Sequence, residues 1–113
     1  MPDDKEGDVP EGAAVFPLIP AELGVHPLLL GLLHATVFLA GSADPVVDHQ
    51  AADETLQYIA RYLRRLSGPD LRRVREDLVS LAVHARSEKW RKQEVRFLKD
   101  FLEDLGVGSE EAE

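Results

Sequence analysis

Four histidines are the residues of this chain with the widest chemistry, because a neutral imidazole can hold a metal ion or move a proton. They are His26, His34, His49 and His84. Only His49 has several carboxylates close in sequence, those of Asp48, Asp53 and Glu54. Their spacing matches neither the His-Glu-x-x-His pattern of zinc enzymes nor the Glu-x-x-His pairs of di-iron bundles. Asp48 suits a helix N-cap and the other two acids suit a first helical turn, so we expect no metal site and no cofactor.

Motifs of catalysis are also missing from the sequence. There is no Gly-rich phosphate loop and no Gly-x-Ser-x-Gly segment. The chain has no Cys, which excludes disulfides, thiolate metal ligands and a cysteine nucleophile. His34 lies in the most apolar segment, where we expect a core histidine rather than a catalytic base. The sequence therefore predicts a non-enzymatic protein without catalytic residues, with a metal-dependent enzyme centred on His49 as the second alternative.

The positive charges are concentrated in the middle of the chain. Twelve of the thirteen Lys and Arg residues lie between Arg61 and Lys99, together with five acidic residues, so this stretch has a net charge of +7. The remainder has a net charge of −15, and the whole chain has −8. Such segregation points towards a partner, because complementary charge steers association and fixes orientation.

Five arginines flank the Ser67-Gly68-Pro69 turn, and we call them the basic corner. They are Arg61, Arg64, Arg65, Arg72 and Arg73. Like charges three or four residues apart repel each other on a helix, and a first helical turn disfavours positive charge. Both effects destabilise the helices at the corner, and an anionic group bound there would offset them. We therefore predict that the basic corner, with Trp90 and Arg91, binds a partner.

Two alternatives to this interpretation stay open. In the first, Asp70, Glu76, Asp77 or the acidic ends of the chain neutralise the corner within the monomer. In the second, the chain binds RNA or DNA, because guanidinium groups bridge phosphates and an indole can stack on a base. Six further cations surround the single Trp90: Arg86, Lys89, Arg91, Lys92, Arg96 and Lys99. Interleaved acids and the acidic ends oppose a polyanion, so we favour a helical protein–protein interaction or adaptor module that meets an acidic protein or a sister subunit.

The apolar pattern predicts an all-α protein, a small bundle of four main helices arranged as two antiparallel hairpins. We place the helices at 28–40, 49–67, 70–87 and 89–105, within one domain over 15–107. The first helix is apolar nearly all round, which is typical of a central helix packed on several sides. Pro27, Asp48 and Gly106 stand where helix ends require them. Residues 1–14 are predicted to be a disordered acidic tail, and 108–113 an acidic C-terminal tail.

A shift of the sequence by 39 residues aligns the second predicted helix with the fourth, so that their apolar stripes match. Three arginines of the corner then fall on acidic residues, namely Asp100, Glu103 and Asp104. This predicts two similar hairpins with complementary charges. The acidic N-terminus does not look like a secretory signal, and the apolar stretch 28–40 is short for a membrane span. We therefore expect a cytoplasmic protein without a membrane partner.

Overall fold

The structure, a computed structural model, describes residues 11–107. Within this range the chain forms one 3₁₀ turn, four α-helices and no β-strand. The elements are the turn Ala21–Leu23, α1 Pro27–Gly41, α2 His49–Leu63, α3 Gly68–Ser87 and α4 Lys92–Asp104. The predicted all-α bundle with four main helices is confirmed. Tails were predicted for residues 1–14 and 108–113; of these, residues 1–10 and 108–113 lie outside the described residues.

Two predicted helix boundaries were wrong. The second helix ends at Leu63 instead of residue 67, because the next turn tightens: the N–H groups of Arg65 and Leu66 each bond a carbonyl three residues back. The fourth helix begins at Lys92 instead of residue 89. There α3 ends in a Schellman motif, in which the Trp90 N–H bonds the Ala85 carbonyl.

Other helix ends follow the local sequence as predicted. Pro27 occupies the first turn of α1, and the Nδ1 atom of His26 accepts a hydrogen bond from the Leu28 N–H at 3.1 Å. Asp48 caps α2 by accepting a hydrogen bond from the Ala51 N–H at 3.0 Å. Gly106 follows α4 with φ +75°, a left-handed conformation that glycine adopts without a steric cost.

The most completely buried apolar stripes belong to α3 and α4, which pack against each other. Along α3, Val74 is half-buried and five other apolar residues are buried: Leu71, Leu78, Leu81, Ala82 and Ala85. Helix α4 buries Leu98, Phe101 and Leu102. The second pair of helices in contact is α1 with α2. The antiparallel direction within each pair stays a prediction.

The predicted core face of α2 is less well covered. Its large apolar side chains are half-buried: Leu56, Ile59, Leu63 and, just beyond the helix, Leu66. The fully buried residues of α2 are the small Ala52 and Ala60. The fully buried side chains of α2 are thus small, while its larger side chains retain contact with solvent.

Helix α1, which we expected to be central and packed on several sides, has one face open to solvent. The helix buries Leu29, Leu33 and Thr36, whereas Leu28 is 78% exposed and Phe38 is 39% exposed. The apolar composition does not show which faces are covered, and within residues 11–107 the face with Leu28 and Phe38 is open.

An extended segment before α1 connects the helices through Phe16, a buried residue that we did not predict for the core. Its ring makes edge-on contacts with the rings of His34, Trp90 and Phe97, at centroid distances of 5.2, 5.6 and 6.4 Å. The Ala14 N–H also donates to the Ser42 hydroxyl at 2.9 Å. Residues from 11 onwards are thus attached to the α1–α2 loop and the core.

Candidate basic interface

The basic corner lies around the connection from α2 to α3, and its five arginines are exposed. Arg61 is in the last turn of α2, and Arg64 and Arg65 follow that helix. Arg72 and Arg73 lie in the second turn of α3, not in the first turn as predicted, because the helix begins at Gly68. All five residues thus lie within about two helical turns of the short connection between the two helices.

Two of these arginines lie over exposed tyrosine rings. The Arg61 guanidinium is 5.8 Å from the ring centroid of Tyr58, and the Arg65 guanidinium is 4.9 Å from that of Tyr62. Tyr58 and Tyr62 are 54% and 62% exposed. An exposed cation–π contact contributes about 0.5–1 kcal/mol, which is enough to bias each guanidinium towards one position. Together the four residues make a surface of aromatic and cationic groups.

Arg64 connects the corner to the end of α4. Its Nε–H donates to the Leu105 carbonyl at 3.0 Å, where the helix dipole places partial negative charge. The sequence predicted complementary charges between the corner arginines and acidic residues of α4, whereas the observed contact is a hydrogen bond to the end of that helix. Within residues 11–107 no corner arginine forms an ion pair with Asp100, Glu103 or Asp104, and the contact is made through a backbone carbonyl.

Arg73 belongs to a hydrogen-bonded network with Asp77, one of the acidic residues named above as able to neutralise the corner. Its Nε–H contacts both carboxylate oxygens of Asp77, at 3.0 and 3.1 Å, and its Nη2 donates to the Gly24 carbonyl at 3.0 Å. The buried Asp77 also accepts a hydrogen bond from the His26 N–H at 3.0 Å. The network fixes the segment before α1 onto α3. The pairing of Arg73 with Asp77 could be predicted from the sequence, because oppositely charged residues four positions apart are neighbours on a helix.

Within residues 11–107, acidic side chains neutralise few of the corner arginines. Arg73 pairs with Asp77, whereas Arg61, Arg65 and Arg72 form no ion pair with an acidic residue of 11–107. Two exposed acids that were predicted as neutralising groups, Asp70 and Glu76, make no ion pair within this range either. Three of the five guanidinium groups therefore remain available at the surface.

The structure does not bring Trp90 and Arg91 to the basic corner. Both lie in the connection between α3 and α4, and α3 is 20 residues long, or roughly 30 Å. Trp90 is half-buried, with its ring packed on those of Phe16 and His84. Arg91 precedes α4, where its N–H donates to Glu94 at 3.1 Å. Trp90 is thus partly covered by the core.

Trp90 borders a second basic surface, a hollow of about 480 Å³ beside α4. Its other lining residues are Arg86, Lys92, Val95, Arg96, Lys99 and Asp100. The hollow adjoins a groove of about 660 Å³ between α3 and α4, which shares Arg86 and Lys99. The floor of this groove is apolar, with Leu78, Ala82, Leu98 and Leu102 among its residues. Those floor side chains are buried, whereas Val79, which also lines the groove, is 64% exposed.

His49 holds the loop between α1 and α2. Its Nε2 lies 2.9 Å from the Ser42 carbonyl oxygen and its Nδ1 lies 2.7 Å from an Asp44 carboxylate oxygen. The hydrogen bond to the Ser42 carbonyl, followed by the negative charge of Asp44, raises the pKa of His49 above its ordinary value of 6.5. Both contacts are satisfied by a doubly protonated ring.

The remaining histidines have packing or capping contacts. His26 caps α1, and the rings of His34 and His84 contact those of Phe16 and Trp90. Across residues 11–107, no three His, Asp or Glu side chains are grouped in a way that could hold a metal ion. In the same range, none of the helices combines the length and the apolar character required to cross a membrane.

Comparisons with models of protein families, with curated proteins and with solved structures found no match to this chain. The function must therefore be argued from the arrangement of its own residues.

Proposed function

We propose that this chain is a non-enzymatic helical interaction module, which binds an acidic protein partner through the basic corner. The observation that carries the proposal is the position of Arg61 and Arg65 over the exposed rings of Tyr58 and Tyr62. Tyrosine and arginine are the residue types enriched at protein interfaces and at their energetic hot spots. Rings offer contact area, and guanidinium groups bind carboxylates in a bidentate manner.

The available charge supports an acidic partner. Arg61, Arg65 and Arg72 form no ion pair within residues 11–107, so their charge is open to an incoming carboxylate. Arg64 and Arg73 have a different role, because each donates hydrogen bonds that hold two segments together. The partner-binding part of the corner is therefore the group formed by Arg61, Arg65, Arg72 and the two tyrosines.

The test uses a fluorescein-labelled peptide of about 16 residues, roughly four helical turns, with glutamates along one helical face. A peptide with glutamine at every glutamate position serves as the control ligand. We expect the acidic peptide alone to bind, with an affinity that falls as salt is added. Single-stranded RNA and duplex DNA oligomers are titrated under the same conditions. Tighter binding of either nucleic acid than of the peptide would contradict the proposal and favour the alternative.

A pair of charge-reversed variants locates the contact. Arg61→Glu combined with Arg65→Glu should abolish peptide binding without altering the helical circular dichroism, because both side chains are exposed. Arg86→Glu combined with Lys99→Glu changes the net charge equally at a distance from the corner and should retain most of the affinity. Equal losses in both double variants would show attraction by total charge and would overturn the assignment to the corner.

A further inference from the structure

Helix α1 has no charged residue, and its only polar side chains are those of His34 and Thr36. At 15 residues it is roughly 22 Å long, shorter than the ~30 Å apolar core of a bilayer. One face of the helix is nevertheless open to solvent. A charge-free helix that exposes an apolar face in water is an unusual feature, since surface helices normally place polar residues there.

The open face is a single stripe. Leu28, Gly31, Ala35 and Phe38 follow one another at intervals of three or four residues, which places them on one side of a helix with 3.6 residues per turn. Gly31 and Ala35 are exposed, and a Cβ atom added at Gly31 would meet no atom within 4 Å. The buried residues Leu29, Leu33 and Thr36 lie on the opposite side. We call the four open residues the α1 stripe.

The side-chain sizes in the α1 stripe are symmetric about its centre, so the stripe can pack against an antiparallel copy of itself. Its large side chains, Leu28 and Phe38, are each five residues from Leu33, and its small residues, Gly31 and Ala35, are each two residues from it. A second α1 running in the opposite direction would therefore place Leu28 against Phe38 of the partner subunit. The small residues would meet at the centre, where they allow two helices to approach closely.

We propose that this chain forms a two-fold symmetric dimer in which the α1 stripes of two copies pack antiparallel. The occupant is a second copy because the stripe has no charge with which to select an acidic partner, and its pattern of sizes matches itself. Isologous contact of one patch with itself is the commonest way in which soluble proteins assemble. The contact is small compared with the ~800 Å² that each partner buries in a standard interface, so we expect an equilibrium between monomer and dimer that depends on concentration.

This dimer goes beyond the proposed function, because it uses α1 and not the basic corner. A dimer of this kind presents two basic corners to the same partner. Charge reversal at Arg61 and Arg65 should therefore leave the dimer intact, and the two proposals can fail separately.

Sedimentation equilibrium over micromolar to millimolar concentrations tests the dimer with the 12.5 kDa chain. Ala35→Glu places like charges at the centre of the α1 stripe and should give a monomer throughout. Ala35 is exposed and glutamate is a good helix former, so the variant should fold, which circular dichroism checks. The matched control is Val83→Glu on α3, at a 56% exposed apolar position, which should dimerise like the parent chain. A monomeric parent chain, or an Ala35→Glu variant that dimerises fully, would overturn the proposal.

Disulfide trapping tests the antiparallel arrangement, and the absence of natural Cys removes any background. Under mild oxidation, a mixture of the Leu28→Cys and Phe38→Cys chains should form mixed dimers at least tenfold faster than either chain forms dimers alone. Faster trapping of Leu28→Cys with itself would indicate parallel helices and contradict the proposal. Loss of the dimer in the Arg61→Glu and Arg65→Glu double variant would place the contact at the basic corner, and would also contradict it.

Discussion

The two pairs of helices differ in how completely they cover their apolar side chains. In α3 and α4, large residues such as Leu71, Leu81 and Leu98 are fully buried. In α1 and α2, Leu33 is the one large apolar side chain that is fully buried. Four are exposed, namely Leu28, Phe38, Tyr58 and Tyr62, whereas α3 and α4 expose two, Val79 and Val83. The comparison teaches that α3 and α4 contribute most of the large core side chains, to which α1 adds Leu29 and Leu33. The surface of α1 and α2 is the part that gains most from a partner.

The largest expected effect is a loss of stability, which tests the difference in burial between the two pairs of helices. Phe101→Ala in α4 should lower the free energy of unfolding by about 3–5 kcal/mol, because the ring is buried and leaves a cavity. Ile59→Ala in α2 should cost roughly 1–2 kcal/mol, since its side chain is only half-buried. Urea unfolding measures both values. Equal losses would show that the two pairs of helices are covered alike in solution.

The next effect concerns the network that ties the start of α1 to α3. Asp77→Ala should lower the free energy of unfolding by about 2–3 kcal/mol, because it leaves the His26 N–H and the Arg73 guanidinium without their acceptor. The half exposure of Arg73 keeps the loss below that of a fully buried pair. Glu76→Ala, an exposed neighbour on the same helix, should change stability by less than about 0.5 kcal/mol. A similar small change for Asp77→Ala would contradict the role of the network.

A smaller effect on stability is expected at the C-terminal ends of α3 and α4. Both helices end in a left-handed residue, Lys89 with φ +62° after α3 and Gly106 with φ +75° after α4. Lys89→Gly should stabilise the chain by roughly 0.5–1 kcal/mol, because glycine adopts this conformation without a steric cost. Gly106→Ala should destabilise it by about 1 kcal/mol. Thermal unfolding measures both, and a destabilised Lys89→Gly would mean that the lysine side chain has a further contact.

The smallest expected effect is the pH dependence contributed by His49. Its pKa is raised in the folded chain, so the protonated ring is stabilised there. This contribution is complete below the unfolded pKa of 6.5 and is lost as the pH rises through the folded value. Asp44→Asn should lower the pKa of His49, which the NMR titration of its ring protons measures. An unchanged titration would mean that Asp44 does not contact the ring in solution.

Local pattern was sufficient to predict the helices and several of their ends. The helix predicted at 70–87 corresponds to α3, and Asp48 and Gly106 cap helices as predicted. The end of α2 was placed too late because Leu66 continues its apolar stripe, although the backbone has already changed to a tighter turn. Periodicity reports which side chains can be buried and does not report where the hydrogen bonds change.

The candidate site was only partly predictable for a related reason. The sequence identified the five arginines, but not which of them hold the fold together. Arg73 reaches Gly24, and Arg64 reaches Leu105, across 49 and 41 residues of the chain. No local pattern predicts such distant contacts. The open face of α1 was missed because an apolar sequence is the same whether a neighbouring segment or a second copy covers it.

The most direct test of the difference between the two pairs of helices is native-state hydrogen exchange, measured by NMR at a low and a high protein concentration. Amides of α3 and α4 should exchange most slowly at both concentrations, because they open only with global unfolding. Amides of α1 should exchange faster at low concentration and gain protection as the protein is concentrated and a second copy covers the α1 stripe. Equal protection of all four helices that does not change with concentration would contradict the account.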